Sequence, residues 1–248
     1  MDSQRVERIS VLKIPVDVVA DEDLDDVLKS MFDDGHRHQI VLLDVPMLLR
    51  ARRNQEFRAM LQNASLVLPS SAAIVRGARF IKRREPIRRS PFDFSIRLLG
   101  VLERWGKSIY LLGAGRKSLE LAERNIKATF PGLRVVGRHT GRWKRSFDED
   151  IAIAIRKSTP TLLMAGRGVH GGERWIPRNM GRFRSGIFIW SGDLFDVYAE
   201  RRSKPSRRSI EKGTEWAHHL LRAPWKVFGF LGYLRFRYLL LWYRIRGL

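Results

Sequence analysis

A chain of 248 residues, 44% of them hydrophobic, can bury one large core or a core plus an appendage, which excludes a disordered basic protein. Its formal net charge of +21 selects polyanionic partners, namely nucleic acid, anionic lipid or phosphorylated substrates, and is silent on fold. The absence of cysteine excludes disulfides and thiolate chemistry.

The opening MDSQRVERIS mixes charges without an apolar stretch and does not read as a secretory signal. Residues 9–19 (ISVLKIPVDVV) read as β-rich, interrupted by Pro15. Asp21 to Phe32 reads as an acidic amphipathic helix with Leu24, Val27, Leu28 and Met31 on one face. Gln39 to Val45 is predicted as a buried strand, and Met47 to Gln62 as one helix with a basic outer face. A strand at Leu66 to Leu68 ends at Pro69. A helix from Ala72 to Lys82 then leads into the basic loop KRREPIRR, Lys82 to Arg89.

Ser108 to Leu112 reads as a strand that runs into Gly113-Ala114-Gly115 and a helix from Ser118 to Thr129. Further strands fall at Leu133 to Gly137, Thr161 to Ala165 and Gly186 to Trp190, with a helix at Asp148 to Lys157. Strands alternating with helices at this spacing argue for an α/β domain with a mostly parallel sheet. Composition shifts near residue 197: residues 197–248 hold 12 Lys or Arg against 3 Glu. We therefore divide the chain into a core at 1–196 and a basic appendage at 197–248.

From Pro224 the appendage reads PWKVFGFLGYLRFRYLLLWYRIRGL. Arg235 and Arg237 interrupt it, so it is too short in unbroken apolar sequence for a membrane span of about 20 residues. Phe228, Leu231, Leu234, Tyr238, Leu239 and Trp242 recur at helical spacing. That pattern predicts an amphipathic helix lying in an anionic membrane surface, with Arg235 and Arg237 reaching phosphates and Trp242 at headgroup level. The competing expectation is a helix that docks on the domain or on a second subunit.

Three turns carry candidate chemistry. Gly113-Ala114-Gly115-Arg116-Lys117-Ser118 joins a strand to a helix, where backbone amides bind phosphate and glycines let a ligand approach. It is neither the dinucleotide fingerprint, because Ser118 takes the third glycine position, nor a Walker loop. Gly166-Arg167-Gly168-Val169-His170-Gly171-Gly172-Glu173 also follows a strand, and its four glycines within seven positions suggest close backbone approach to a ligand. His170 there reads as solvated, and Glu173 as a partner of the following helix dipole. Ser191-Gly192-Asp193-Leu194-Phe195-Asp196 offers two carboxylates in no metal-ligand spacing.

The order of these pieces resembles the WecG/TagA/CpsF glycosyltransferase family over roughly residues 9–226. The resemblance rests on IPVDVVADEDLDDVL, RARRNQEFRAMLQNASLVLPSSAAIV, SIYLLGAG, FPGLRVVGRHTGRW, GRGVHGGERWI, GDLFDVYA and GTEWAHHLLRAPWK. It implies a Rossmann-like fold and transfer of a sugar from a UDP-sugar to a polyprenyl-diphosphate-linked sugar at the cytoplasmic face of the inner membrane. It also implies a membrane-binding C-terminal appendage whose arginines meet the donor diphosphate, and no metal or other cofactor. A homo-oligomer is left open.

The departures from the family pattern fall at its polar centre. The family aspartate taken as general base matches Ser70, followed by Ser71, and a serine does not accept a proton near neutral pH unaided. A family threonine and asparagine match Leu43 and Val45. A glutamine matches Gly172, with Glu173 kept. Asp193 stands in a Gly-Gly position ahead of the retained Phe195 and Asp196, and an Arg-Ala-Pro segment becomes Lys204-Pro205-Ser206.

Two readings follow. An active transferase would use Ser70, Asp44 or Asp193 in catalysis. It would hold the donor with Gly113, Gly115, Arg116, Gly166, Gly168, Glu173 and Asp196, and with Arg201, Arg207, Arg208 and Lys226 on the diphosphate. An Asp44 inside a strand would face away from Leu43 and Val45. The alternative is a catalytically silent scaffold of the same envelope-polysaccharide system. Nucleic-acid binding is the third reading; the charge favours it, but no helix-turn-helix, zinc or RNA-binding signature accompanies it.

Overall fold

The computed structural model describes residues 5–81, 83–203 and 227–246, the last stretch with side chains from Leu231 onward. The chain divides into two compact units that interleave along the sequence. One gathers residues 22–41 and 91–203; the other gathers 5–21, 42–90 and the C-terminal helix.

The α/β expectation holds. Six strands form one sheet in the order β4-β3-β8-β7-β5-β6: β3 (Arg37–Leu43), β4 (Leu66–Pro69), β5 (Ser108–Leu112), β6 (Arg134–His139), β7 (Leu162–Gly166) and β8 (Gly186–Gly192). The pairings β3–β8, β8–β7, β7–β5 and β5–β6 are all parallel. β5 and β7 are buried along their whole length, as strands covered on both faces must be.

In the first unit, α1 (Leu24–Asp33) buries the four residues read from its periodicity. A second helix there, α5 (Pro91–Arg104), is absent from the sequence reading. It starts at a proline, a favoured first helical residue, and buries Phe94, Leu98, Leu99, Val101 and Leu102. α6 (Arg116–Thr129) follows β5, and α7 (Asp148–Ser158) follows β6. Two short helices, α8 (Trp175–Asn179) and α9 (Leu194–Tyr198), follow β7 and β8.

The second unit opens with an antiparallel hairpin of β1 (Glu7–Val11) and β2 (Ile14–Val18). Pro15 does not interrupt it but pairs with Ser10. The side chain of Asp17 has no exposure and accepts from Arg8 Nε at 2.7 Å and from the Val67 amide at 2.6 Å, which ties the hairpin to β4. The single helix expected at 47–62 is two: α2 (Val45–Ala51) and α3 (Gln55–Asn63). Asn54 makes the break, because its side chain accepts from the Phe57 amide at 2.9 Å and caps a new helix. α4 (Ala72–Phe80) follows β4.

The C-terminal helix, α10 (Val227–Ile245), packs on α2 and α4. Phe236, Leu240 and Tyr243 form its buried face, at 1%, 6% and 6% exposure. Gly77 of α4 leaves room for it: a Cβ there would lie 3.0 Å from both Phe236 Cζ and Leu240 Cδ1. Gly232 faces Leu49, Tyr243 faces Arg52 and Arg244 lies over Phe80, so the helix runs in the same direction as α2 and α4.

The opposite face of the same helix is apolar and exposed. Leu231, Leu234, Tyr238, Leu241 and Ile245 follow one another at spacings of three and four, and each is between 47% and 76% exposed. Arg235 and Arg246 border this stripe on one side, Arg237 and Arg244 on the other. Leu239 and Trp242, expected within the stripe, are half-buried at its margin, with Arg246 over the Trp242 ring. The helix thus both docks and exposes an apolar face, so the two expectations for it are not alternatives. Among the described residues, no helix is long and apolar enough to cross a membrane.

Candidate active site

The chain leaves β5 outward to β6 and returns on the other side of β5 to β7. In open α/β sheets, ligands bind beyond the carboxyl ends of strands at such a reversal. The two glycine-rich turns read from the sequence lie there, at the ends of β5 and β7. Backbone bonds lace them to their neighbours. Gly113 N donates to His139 O at 2.9 Å, Ala114 N to Arg167 O at 2.6 Å, Gly141 N to Ala114 O at 2.9 Å and Arg167 N to Gly192 O at 2.9 Å.

Not every glycine in these turns faces a ligand. Gly113, at φ +135°, lies so close to the next turn that a Cβ would sit 2.9 Å from the Gly166 backbone. A Cβ on Gly166 would meet the buried Phe195 ring at 2.8 Å. Those two glycines are required by turn-on-turn packing. Gly115 differs. It is the N-cap of α6, without a side-chain cap, and a Cβ there would meet nothing within 4 Å. The first-turn amides of a 14-residue helix therefore lie behind an exposed glycine.

Basic residues follow that glycine, and others come from neighbouring turns. Arg116 and Lys117 are exposed beside it, with Arg116 Nε 3.1 Å from Glu120. Arg201 Nη1 donates to the buried Ser118 hydroxyl at 3.2 Å, which brings the segment after α9 to the first turn of α6. Arg167 and Arg202 both reach Asp193, the former at 3.3 Å. Asp196 uses its backbone carbonyl to hold the amides of Arg201 and Arg202, at 3.0 and 3.1 Å. Glu173 is half-buried in the short turn Gly172–Arg174 ahead of α8. Arg207, Arg208 and Lys226 lie outside the described residues.

His170 is not the solvated loop histidine expected. Its Nε2 is 2.5 Å from the Trp143 carbonyl, and its ring meets the Trp143 indole edge-on, as does His139 from the end of β6. The indole nitrogen donates to Asp148. This cluster pins the loop after β6 to the loop after β7, and no local sequence signal announced it.

In the second unit, the ends of β3 and β4 look different. Ser70 is buried; its amide and its hydroxyl both donate to the Leu43 carbonyl, at 2.8 and 3.0 Å. Its own carbonyl accepts from Arg88 Nε at 2.9 Å. Ser71 caps α4 by accepting from the Ala73 amide at 3.2 Å. Strand β3 ends at Leu43, so Asp44 is not a strand residue facing away from its neighbours. It is the N-cap of α2, with Oδ1 2.7 Å from the Met47 amide. Arg89 is buried, bound to Asp21 and to the Val19 carbonyl.

Among the described residues, no group of three or more His, Asp or Glu side chains is placed to hold a metal ion.

A model of the glycosyl transferase WecG/TagA/CpsF family matches residues 9–248. The chain belongs to this family. It is similar to an N-acetylglucosaminyldiphosphoundecaprenol N-acetyl-β-D-mannosaminyltransferase of Bacillus subtilis, with 23% identity over 179 residues, covering 71% of this chain and 68% of the relative. A protein of the same name from Staphylococcus aureus is 20% identical over 190 residues, covering 77% and 74%. For this WecG/TagA/CpsF member, then, glycosyl transfer is the family chemistry. The Ser70 position offers no uncommitted polar side chain.

Proposed function

We propose that this protein transfers a hexose-type sugar from a UDP-sugar donor to a polyprenyl-diphosphate-linked acceptor for envelope polysaccharide, working at the cytoplasmic face of an anionic membrane. The observation that carries this reading is the exposed Gly115 at the N-terminus of α6, with Arg116 next to it in sequence and Arg201 bonded to Ser118 in the same first turn. Helix amides and guanidinium groups together suit a diphosphate. The names of the relatives, which include a diphosphoundecaprenol acceptor, support the acceptor class. Calorimetry with UDP tests the donor half: saturable binding supports it, and no binding at millimolar UDP defeats it.

The outer stripe of α10 supports the membrane half. Five apolar side chains between two rows of arginine suit the boundary between acyl chains and anionic headgroups. Co-sedimentation with vesicles containing phosphatidylglycerol should retain the full chain and lose a chain that ends before residue 227.

A second reading, a binding or scaffolding subunit without turnover, is favoured by the state of Ser70. A serine hydroxyl is too weakly basic to take a proton near neutral pH unaided, and this one is buried against the Leu43 carbonyl. A panel of UDP-sugars with a lipid-linked acceptor analogue separates the two: UDP binding without product selects the scaffold.

A further inference from the structure

The carboxylate of Asp193 lies between two arginines. Arg167 Nη1 is 3.3 Å from one oxygen, and Arg202 Nη1 binds the other. Both arginines have fixed main chains and exposed ends. Arg167 N donates to Gly192 O and Arg202 N to Asp196 O. The side chains of Arg167 and Arg202 are 71% and 42% exposed, and that of Asp193 is 35% exposed. Ion pairs this open to water are weak, so neither guanidinium is locked to the acid. Arg167 belongs to the β7 turn, whose carbonyl accepts from Ala114 beside Gly115, and the neighbour of Arg202, Arg201, is bonded to Ser118 in the first turn of α6.

We infer that Asp193 is a built-in competitor for the donor's diphosphate: it engages Arg167 and Arg202, yields them to a more highly charged phosphate ligand, and thereby sets the affinity for that ligand. This rests on the reading of these turns as the donor site. A proton-accepting role fits the geometry less well, because both carboxylate oxygens face guanidinium groups rather than a free approach. A purely structural role predicts lower stability and no gain in affinity on removal. Competition predicts the opposite sign. An anion a few ångströms from a bound diphosphate repels it, and at the nearly water-like dielectric that side chains this exposed experience, its removal tightens binding by about three- to tenfold.

The experiment compares the full chain with Asp193→Asn, which keeps shape and removes charge, and with Asp33→Asn. Asp33 pairs with Lys107 at the end of α1, which leads to the opening residue of β3 and so to the other end of the strands, and it gives the same change in net charge. The titrants are UDP and inorganic pyrophosphate at low salt. Asp193→Asn should bind both about three- to tenfold more tightly, a gain that shrinks as salt is added, while Asp33→Asn stays within about twofold of the parent. Unchanged or weaker binding by Asp193→Asn, with the parent binding normally, overturns the inference and leaves the donor site standing. No binding by parent or variant overturns both. Arg202→Gln is the second variant. If Arg202 serves the ligand, it weakens binding to UDP and pyrophosphate alike; unchanged binding counts against the inference.

Discussion

The strand ends of the two units spend their polar groups in opposite ways. At the ends of β5, β7 and β8, the backbone bonds are made between turns, and the side chains of Arg116, Arg167 and Arg202 are left at the surface. At the ends of β3 and β4, the side chains themselves close the structure. Asp44 and Ser71 cap helices, the Ser70 hydroxyl serves the Leu43 carbonyl, and Arg88 reaches over the chain to the Ser70 carbonyl. A cap or a buried hydroxyl that completes local hydrogen bonding is stabilising in place and is unavailable for proton transfer. The difference teaches that a polar residue at a strand's carboxyl end marks a reactive site only if the fold has not already used it.

The largest expected effect breaks the open end. Gly113→Val places a branched side chain at φ +135° against the Gly166 backbone. Strain and overpacking together should cost about 3–5 kcal/mol. Urea unfolding reads this directly; a loss below about 1 kcal/mol would mean that the turns are not laced as described. Next in size is a pH effect beneath the same end. Tyr198 closes α9, its hydroxyl 2.7 Å from Ser95 Oγ, and Asn125 holds its carbonyl at 2.7 Å. Burial pushes the Tyr198 phenol up to about 12, the Ser95 hydrogen bond opposing the rise. Its folded value lies above the unfolded one, so its contribution is intact below pH 10 and declines between about pH 10 and 12. The loss is roughly 3 kcal/mol relative to Tyr198→Phe, which lacks the titration. Equal alkaline slopes for parent and variant would remove this support from α9.

At the closed end the expected effect is smaller. Ser70→Ala removes one hydrogen bond, and the Leu43 carbonyl keeps the Ser70 amide. The cost should be about 1 kcal/mol, with UDP binding unchanged. A variant that kept its stability but lost sugar transfer would show Ser70 to be reactive after all and would collapse the contrast between the two ends.

Much of this was legible in the sequence, for reasons that also explain the gaps. The strands at Ser108 to Leu112 and Thr161 to Ala165 are runs of apolar residues that stop at glycine, and the structure begins and ends them within a residue of that reading. The turns at Gly113 and Gly166 stood out for the same reason. The Asn54 break did not, because a cap inside a continuous amphipathic pattern looks like one more polar outer residue. Helix α5 is masked in the sequence by the basic run at 82–89 ahead of it, although Phe94, Leu98, Val101 and Leu102 hold helical spacing. Which glycines serve packing and which face outward depends on neighbouring turns, and sequence spacing does not carry that. Nor did it reveal that Asp193 stands between arginines from two separate turns.

The C-terminal helix extends the contrast to apolar groups, and it supplies the smallest expected effect on stability. Phe236 and Leu240 are committed to α4 across Gly77, whereas Tyr238 and Leu241 are 65% and 51% exposed. A single reading of the segment as an amphipathic helix missed this, because a helix apolar on two opposite sides has no simple polar face. The double substitution Tyr238→Ser and Leu241→Ser should shift the unfolding free energy by no more than about 0.5 kcal/mol. The same change should weaken attachment to anionic vesicles by about tenfold or more, because each side chain would lose burial worth roughly 1.5–3 kcal/mol when fully embedded. Sedimentation equilibrium of the double variant alongside the parent decides between occupants. Undiminished vesicle binding, together with the loss of a dimer seen in the parent, would reassign the stripe from lipid to a second copy of the chain.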